Sequence, residues 1–283
     1  MNSEESAYLK GGIQPLTTRS SVLVSSSKYL NSAALRHVVA QEMLRKVGND
    51  LPPAYFIPEM GAAFAEVSDT AKTLALFQQE RASNPVFARW LDAGFVSDFS
   101  AERLRAHQPG TLGERVYRFV VDSGLDIDFM FKGAPENDHQ YWLKRFIQSH
   151  DIQHMITGFD VSPLGEYALI MLNSTNYYDH FSPHLAAELS MQTTLQVASG
   201  WMRATLHYPA TLGLFWEAMD LARRMARALP RPLFYERWED YWDLSIPEIR
   251  QQLGITEAPA EGAWDWAWQV MRDEGAAPAD GAG

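Results

Sequence analysis

Asn137-Asp138-His139-Gln140-Tyr141-Trp142-Leu143-Lys144-Arg145-Phe146-Ile147-Gln148-Ser149-His150-Asp151-Ile152-Gln153-His154 reads as a helix with chemistry on its inward face. Asn137 or Asp138 suits the N-cap, and Gly158 suits the C-terminal stop. At about 100° per residue, His150 and His154 lie one turn apart, with Asp151 between them in projection. Leu143, Phe146 and Ile147 occupy the same side one or two turns upstream. The histidines therefore continue an apolar stripe and are expected to point inward.

Burying two histidines and an aspartate together is costly unless something satisfies them. A divalent metal does so directly, since neutral imidazoles donate nitrogen and a carboxylate supplies charge. Glu166 could add a fourth donor only if the chain reverses. On an unbroken helix it would sit about 24 Å from His150. The reversal is written in Gly158, which ends one helix, and in Ser162-Pro163, which reads as N-cap and first position of the next. Two other readings stand beside the metal. Glu166 could be a first-turn acid favoured by the helix dipole, and the histidines could be core residues with Asp151 pairing one of them.

Outward from this hairpin the pattern is helical almost throughout. Ala34, Val38, Val39, Met43 and Leu44 recur at helical spacing, and one helix is expected over Met60 to Arg81. A short helix fits between Pro85 and Gly94, another over Leu112 to Val121. Alternating strand patterns are scarce, with Val120 to Phe131 the one ambiguous stretch. The expected fold is all-α, a single multi-helix domain over residues 32–255 with a metal site between two consecutive helices. Residues 1–31 are expected to form a flexible N-terminal segment and residues 256–283 a C-terminal tail, frayed from Ala276.

Forty-six per cent of the 283 residues are apolar and 12% aromatic, too many for a disordered chain. The absence of cysteine excludes disulfides, thiolate metal sites and cysteine nucleophiles. A net charge of −11 argues against bulk nucleic-acid binding. No stretch approaches the roughly 18–20 apolar residues of a membrane span. The first thirty residues lack the apolar core of a secretory signal, and Glu4 and Glu5 are unlike a mitochondrial leader. The expected location is cytoplasmic, peripherally associated with the inner face of a membrane.

His150-Asp151-x-x-His154-x11-Glu166 resembles the signature of the coenzyme Q (ubiquinone) biosynthesis protein 4 family. Pro109-Gly110-Thr111-Leu112-Gly113 with Tyr117 and Phe119, Tyr141 to Arg145, and Leu244-Ser245 through Arg250-x-x-Leu253-Gly254-Ile255 resemble further segments of it. The stretch Asn173 to His180 departs from the family's usual sequence after the glutamate. The resemblance implies a mostly helical fold and a divalent metal held by His150, Asp151, His154 and Glu166, which would also be the catalytic residues. It implies a bound isoprenoid lipid, peripheral membrane contact and other ubiquinone-biosynthesis proteins as partners, with a homodimer among the expected assemblies. The implied reaction is metal-dependent, oxidative decarboxylation of a polyprenylated hydroxybenzoate precursor, a carbon–carbon lyase chemistry. Two imidazoles and two carboxylates suit Zn²⁺, Fe²⁺ or Mn²⁺, with zinc the first expectation.

Competing readings are a non-catalytic metal- and lipid-binding scaffold, favoured by closed coordination, and a phosphohydrolase built on a His-Asp doublet, whose pattern lacks Glu166. Leu214-Phe215-Trp216, Met219, Met225, Ala226 and Leu229 suggest an apolar face beside Arg223, Arg224, Arg227 and Arg231, a basic amphipathic patch suited to an anionic membrane or to plain surface. Asp179, His180 and His184 form a second cluster, read mainly as helix capping because Ser182-Pro183 starts another helix. His37, His107, His139 and His207 are read as structural singles.

Overall fold

In the computed structural model, residues 27–45, 57–124, 127 and 130–276 are described. Among them the chain forms thirteen α-helices and no strand, so the all-α expectation holds. They are α1 (Lys28–Asn31), α2 (Ala33–Leu44), α3 (Ile57–Val67), α4 (Thr70–Ser83), α5 (Pro85–Ala93), α6 (Ala101–Leu104), α7 (Leu112–Ser123), α8 (Asp138–Thr157), α9 (Pro163–His180), α10 (Pro183–His207), α11 (Leu212–Ala228), α12 (Ile246–Leu253) and α13 (Asp265–Ala276). Residues 1–26 of the expected flexible segment and 277–283 of the expected frayed end lie outside the described residues. The five described residues of that first segment hold α1, capped by Ser27, whose Oγ accepts from Leu30 N.

The single helix expected over Met60 to Arg81 is two. Ser68 turns its hydroxyl back to the Phe64 carbonyl at 2.8 Å, and Asp69 accepts from Lys72 N at 3.0 Å, which ends α3 and caps α4. Short polar side chains that bond their own backbone compete with helix continuation, and here they win over the apolar periodicity. The other boundaries follow their signals: Gly94 closes α5 in the left-handed region at φ 57°, as Gly158 closes α8.

Helix α9 packs on α10 and α11, and α10 on α2. The main core gathers Ile152 and Ile156 of α8, Leu164, Ala168 and Leu172 of α9 and Phe215, Met219 and Met225 of α11. Each large apolar side chain buried there contributes about 1.5–3 kcal/mol. A second, aromatic core surrounds Trp90, Trp142, Tyr177 and Phe234 at the other end of α8. Two segments far apart in sequence meet at the side: Leu112 N donates to the Leu244 carbonyl at 2.8 Å, next to an isolated Thr111–Ser245 bridge.

The stretch expected as a tail from residue 256 is instead part of the body up to α13. Trp264 is buried in the main core, and Met271 is buried against Tyr208. Its Ala, Gly, Pro and acid content hides a Trp264-Trp268-Met271 helical stripe that finds a partner only in three dimensions.

Candidate metal centre

The hairpin of α8 and α9 is built by its caps. Asn137 Oδ1 accepts from Gln140 N at 3.0 Å, and Gly158 at φ 80° turns the chain out of α8. Ser162 Oγ then accepts from Gly165 N at 3.3 Å, with Pro163 in the first turn of α9. Gly165 permits this: a Cβ there would be driven into the backbone carbonyl of Asp160.

The reversal returns Glu166 to the two histidines. Its Oε2 lies 3.4 Å from His150 Nε2 and its Oε1 lies 3.3 Å from His154 Nε2, so the carboxylate straddles both rings. The two Nε2 atoms are 3.3 Å apart, with the ring planes at 85°. His154 has 5% of its side chain exposed, whereas His150 and Glu166 keep about a third, so the trio has a sealed wall and an accessible side.

The tautomer of His154 follows from its other nitrogen. Nδ1 lies 2.9 Å from the Phe159 carbonyl oxygen, which can only accept, so Nδ1 carries a proton and, whenever the ring is neutral, Nε2 presents its lone pair to the trio. His150 is lowered by burial, but Glu166 and Asp151 outweigh that and hold it above its ordinary value. Burial pushes Glu166 up, yet with both rings protonated their hydrogen bonds and charge hold it far below the usual carboxylate range.

His150, His154 and Glu166 form the one group of three or more potential metal donors among the described residues, with donor atoms within 4.8 Å of one another. Asp151 does not join that group. Its carboxyl is raised by burial, with the two histidines pulling it back, so it stands beside them as a charge. No second cluster forms around Asp179, His180 and His184 among the described residues. There the His180 carbonyl accepts from Asn84 Nδ2 at 3.0 Å and Ser182 N donates to Glu80 at 2.8 Å, tying the start of α10 to α4.

Three of the four arginines of the basic patch, on α11 and just beyond it, have acidic partners. Arg223 faces Asp220, Arg224 meets Glu257 at 3.1 Å and Arg231 is bidentate on Glu236 at 2.6 and 2.8 Å. Phe215, Met219, Met225, Ala226 and Leu229, read as an apolar face for lipid, are core residues. No described helix is long and apolar enough to cross a membrane.

Two features beside the trio escaped the sequence reading. The Phe159 carbonyl is a backbone atom and carries no side-chain signal. Arg203 and Glu42, nearly free of solvent, pair at 2.6 Å, and Arg203 also donates to the Tyr167 hydroxyl at 2.9 Å, next to Glu166. Their one sequence signal is a charge set among the apolar positions of a helix.

The sequence profile of the family described as coenzyme Q (ubiquinone) biosynthesis protein Coq4 matches residues 95–259. The chain belongs to that family. It is 24% identical over 227 residues to the mitochondrial ubiquinone biosynthesis protein COQ4 of Eremothecium gossypii, covering 73% of this chain and 62% of that protein. Against its namesake in Lachancea thermotolerans it is 24% identical over 164 residues, covering 56% of this chain and 45% of that one. The chain thus spans less than two thirds of either relative. Botryotinia fuckeliana coq4, also named mitochondrial, is 24% identical, covering 71% of this chain and 70% of that one. The fold is shared with a crystal structure of a protein assigned to ubiquinone biosynthesis in Nostoc punctiforme: TM-score 0.56, 19% identity, 78% of this chain and 97% of that one covered. The Coq4 match takes in all four residues of the His-Asp-x-x-His and Glu166 signature.

Proposed function

We propose that this Coq4 family member works in coenzyme Q biosynthesis as a divalent-metal-dependent oxidative decarboxylase of a polyprenylated hydroxybenzoate precursor: the bond from the ring to its carboxylate breaks and carbon dioxide leaves, one oxygen atom of dioxygen becomes the new hydroxyl, and the other leaves as water with two electrons from an external reductant. One observation carries the metal reading: two Nε2 atoms 3.3 Å apart are straddled by one carboxylate, and the second nitrogen of His154 is already committed to a carbonyl. A separation of about 3.3 Å is the edge of a tetrahedron whose centre lies about 2.0 Å from each nitrogen, the ordinary Zn–N length. The set of two imidazoles and a carboxylate fits zinc, iron or manganese, and zinc on these three donors would leave its fourth position to water or substrate.

His150, His154 and Glu166 would hold the ion. When bound, it supplies a Lewis acid that favours negative charge on a carboxylate or phenolate oxygen. The protein's own part is orientation and electrostatics. The Phe159 carbonyl keeps the His154 proton on Nδ1. Glu166 carries the balancing negative charge, and Asp151 adds charge beside the rings. Three donors with an accessible side support catalysis over a closed structural site. The polyprenyl tail, membrane contact and other enzymes of coenzyme Q synthesis as partners belong to the same proposal.

The test is elemental analysis of the purified chain alongside turnover of a carboxylated, prenylated ring. We expect about one equivalent of divalent metal and release of carbon dioxide, both lost in His154→Ala. Stoichiometric metal retained by His154→Ala would reject the site. Full metal without turnover would leave the scaffold role instead.

A further inference from the structure

The carbonyl that orients His154 is itself held from the far end of the chain. Phe159 stacks in an offset parallel arrangement with Trp264, with ring centroids 5.7 Å apart and planes within 16°. Both are nearly sealed, at 1% and 5% exposure. The surrounding turn is gripped at its backbone: Arg250 Nε donates to the Ile156 carbonyl at 2.6 Å, and Phe159 N donates to Thr157 Oγ1 at 3.2 Å. Trp264 lies beyond residue 259, where the family match ends.

A peptide carbonyl points where the backbone angles of its residue direct it, and a buried ring held in an offset parallel stack restricts those angles. We propose that Trp264 is a positioning residue for the metal centre. By holding the Phe159 ring it aims the Phe159 carbonyl at His154 Nδ1, and so keeps His154 Nε2 turned toward His150 and Glu166. The inference rests on the metal reading above. Plain core filling would be served by any apolar side chain of adequate bulk. Positioning requires a flat face parallel to Phe159.

The experiment compares the full chain with Trp264→Phe, Trp264→Leu and, as an exposed neighbour, Trp266→Ala. Three quantities are read: the zinc dissociation constant by chelator competition, the ¹⁵N shifts of the His154 ring in chelator-treated protein, and the thermal midpoint. Trp264→Phe and Trp266→Ala should keep the Nδ1–H tautomer and the parent affinity. Trp264→Leu should mix the tautomers and weaken zinc by about tenfold or more, the size expected when a ligand's orienting partner is lost. Should Trp264→Leu fail to fold, Trp264→Met stands in for it.

Parent-like tautomer and affinity in the folded aliphatic variant would overturn the proposal while leaving the metal reading intact. Absence of zinc binding by the parent chain, with the tautomer still responding to residue 264, would remove the metal reading and leave the positioning of His154 standing.

Discussion

Arg203 Nη1 and Glu42 Oε1 lie 2.6 Å apart, with 4% and none of their side chains exposed, and so bind α10 to α2 at a point where neither helix meets water. Burial raises the Glu42 carboxyl, and Arg203 and Arg45 pull it back only in part. Removing one partner strands a buried charge, so Glu42→Ala should cost about 3–5 kcal/mol. The double variant Glu42→Leu with Arg203→Met should recover most of that loss. Urea unfolding read with an unchanged slope checks both, and a double variant no better than the single one would contradict the account.

On the proposed metal reading, metal affinity should separate His150, His154 and Glu166 from Asp151. Glu166→Gln should lose most bound metal, whereas Asp151→Asn should keep near-stoichiometric metal at an affinity weakened by about tenfold. Chelator competition distinguishes the two. Equal losses would make Asp151 a direct ligand.

The pH dependence of the chelator-treated protein follows from the same trio. His150 is held above its ordinary value, so its contribution is complete below about pH 6.5 and fades as pH rises through the folded value. Glu166 is depressed, so its contribution is complete above about pH 4.3 and fades in stronger acid. Together they favour the mildly acid range between. The thermal midpoint should therefore fall from pH 6 to pH 8, and Glu166→Gln should flatten that fall. An identical slope in the variant would place its source elsewhere.

Two glycines should respond in opposite directions to alanine. Gly165→Ala drives a methyl into the Asp160 carbonyl inside the turn that aligns the site, so it should unfold the hairpin or cost several kcal/mol. Gly61, exposed within α3 and with nothing within 4 Å of a new Cβ, should gain about 0.5–1 kcal/mol. Thermal melts of the two variants suffice.

Much of the site was legible because its signals are local. Asn137, Gly158 and Ser162-Pro163 act through hydrogen bonds to neighbours within four residues, and the i,i+4 spacing of His150 and His154 is a property of any helix. The reversal that returns Glu166 could be read from the same caps. The break at Ser68-Asp69 was missed because two short side chains overrode an apolar periodicity that continues straight across it. Arg224 of α11 and Arg231 just beyond it looked like parts of a free basic patch because their partners, Glu257 and Glu236, lie outside that helix.

By itself, the sequence determined the helical class, the hairpin boundaries and the residue types gathered near its turn, all of them consequences of short-range periodicity and capping. Tertiary structure alone decided that Glu166 straddles both rings while Asp151 stands aside. It also set the Phe159 carbonyl against His154 Nδ1, stacked Trp264 beside the Phe159 ring and paired Arg203 with Glu42. Those outcomes depend on the directions of side chains and carbonyls packed across distant segments, and such directions are settled only when the core closes.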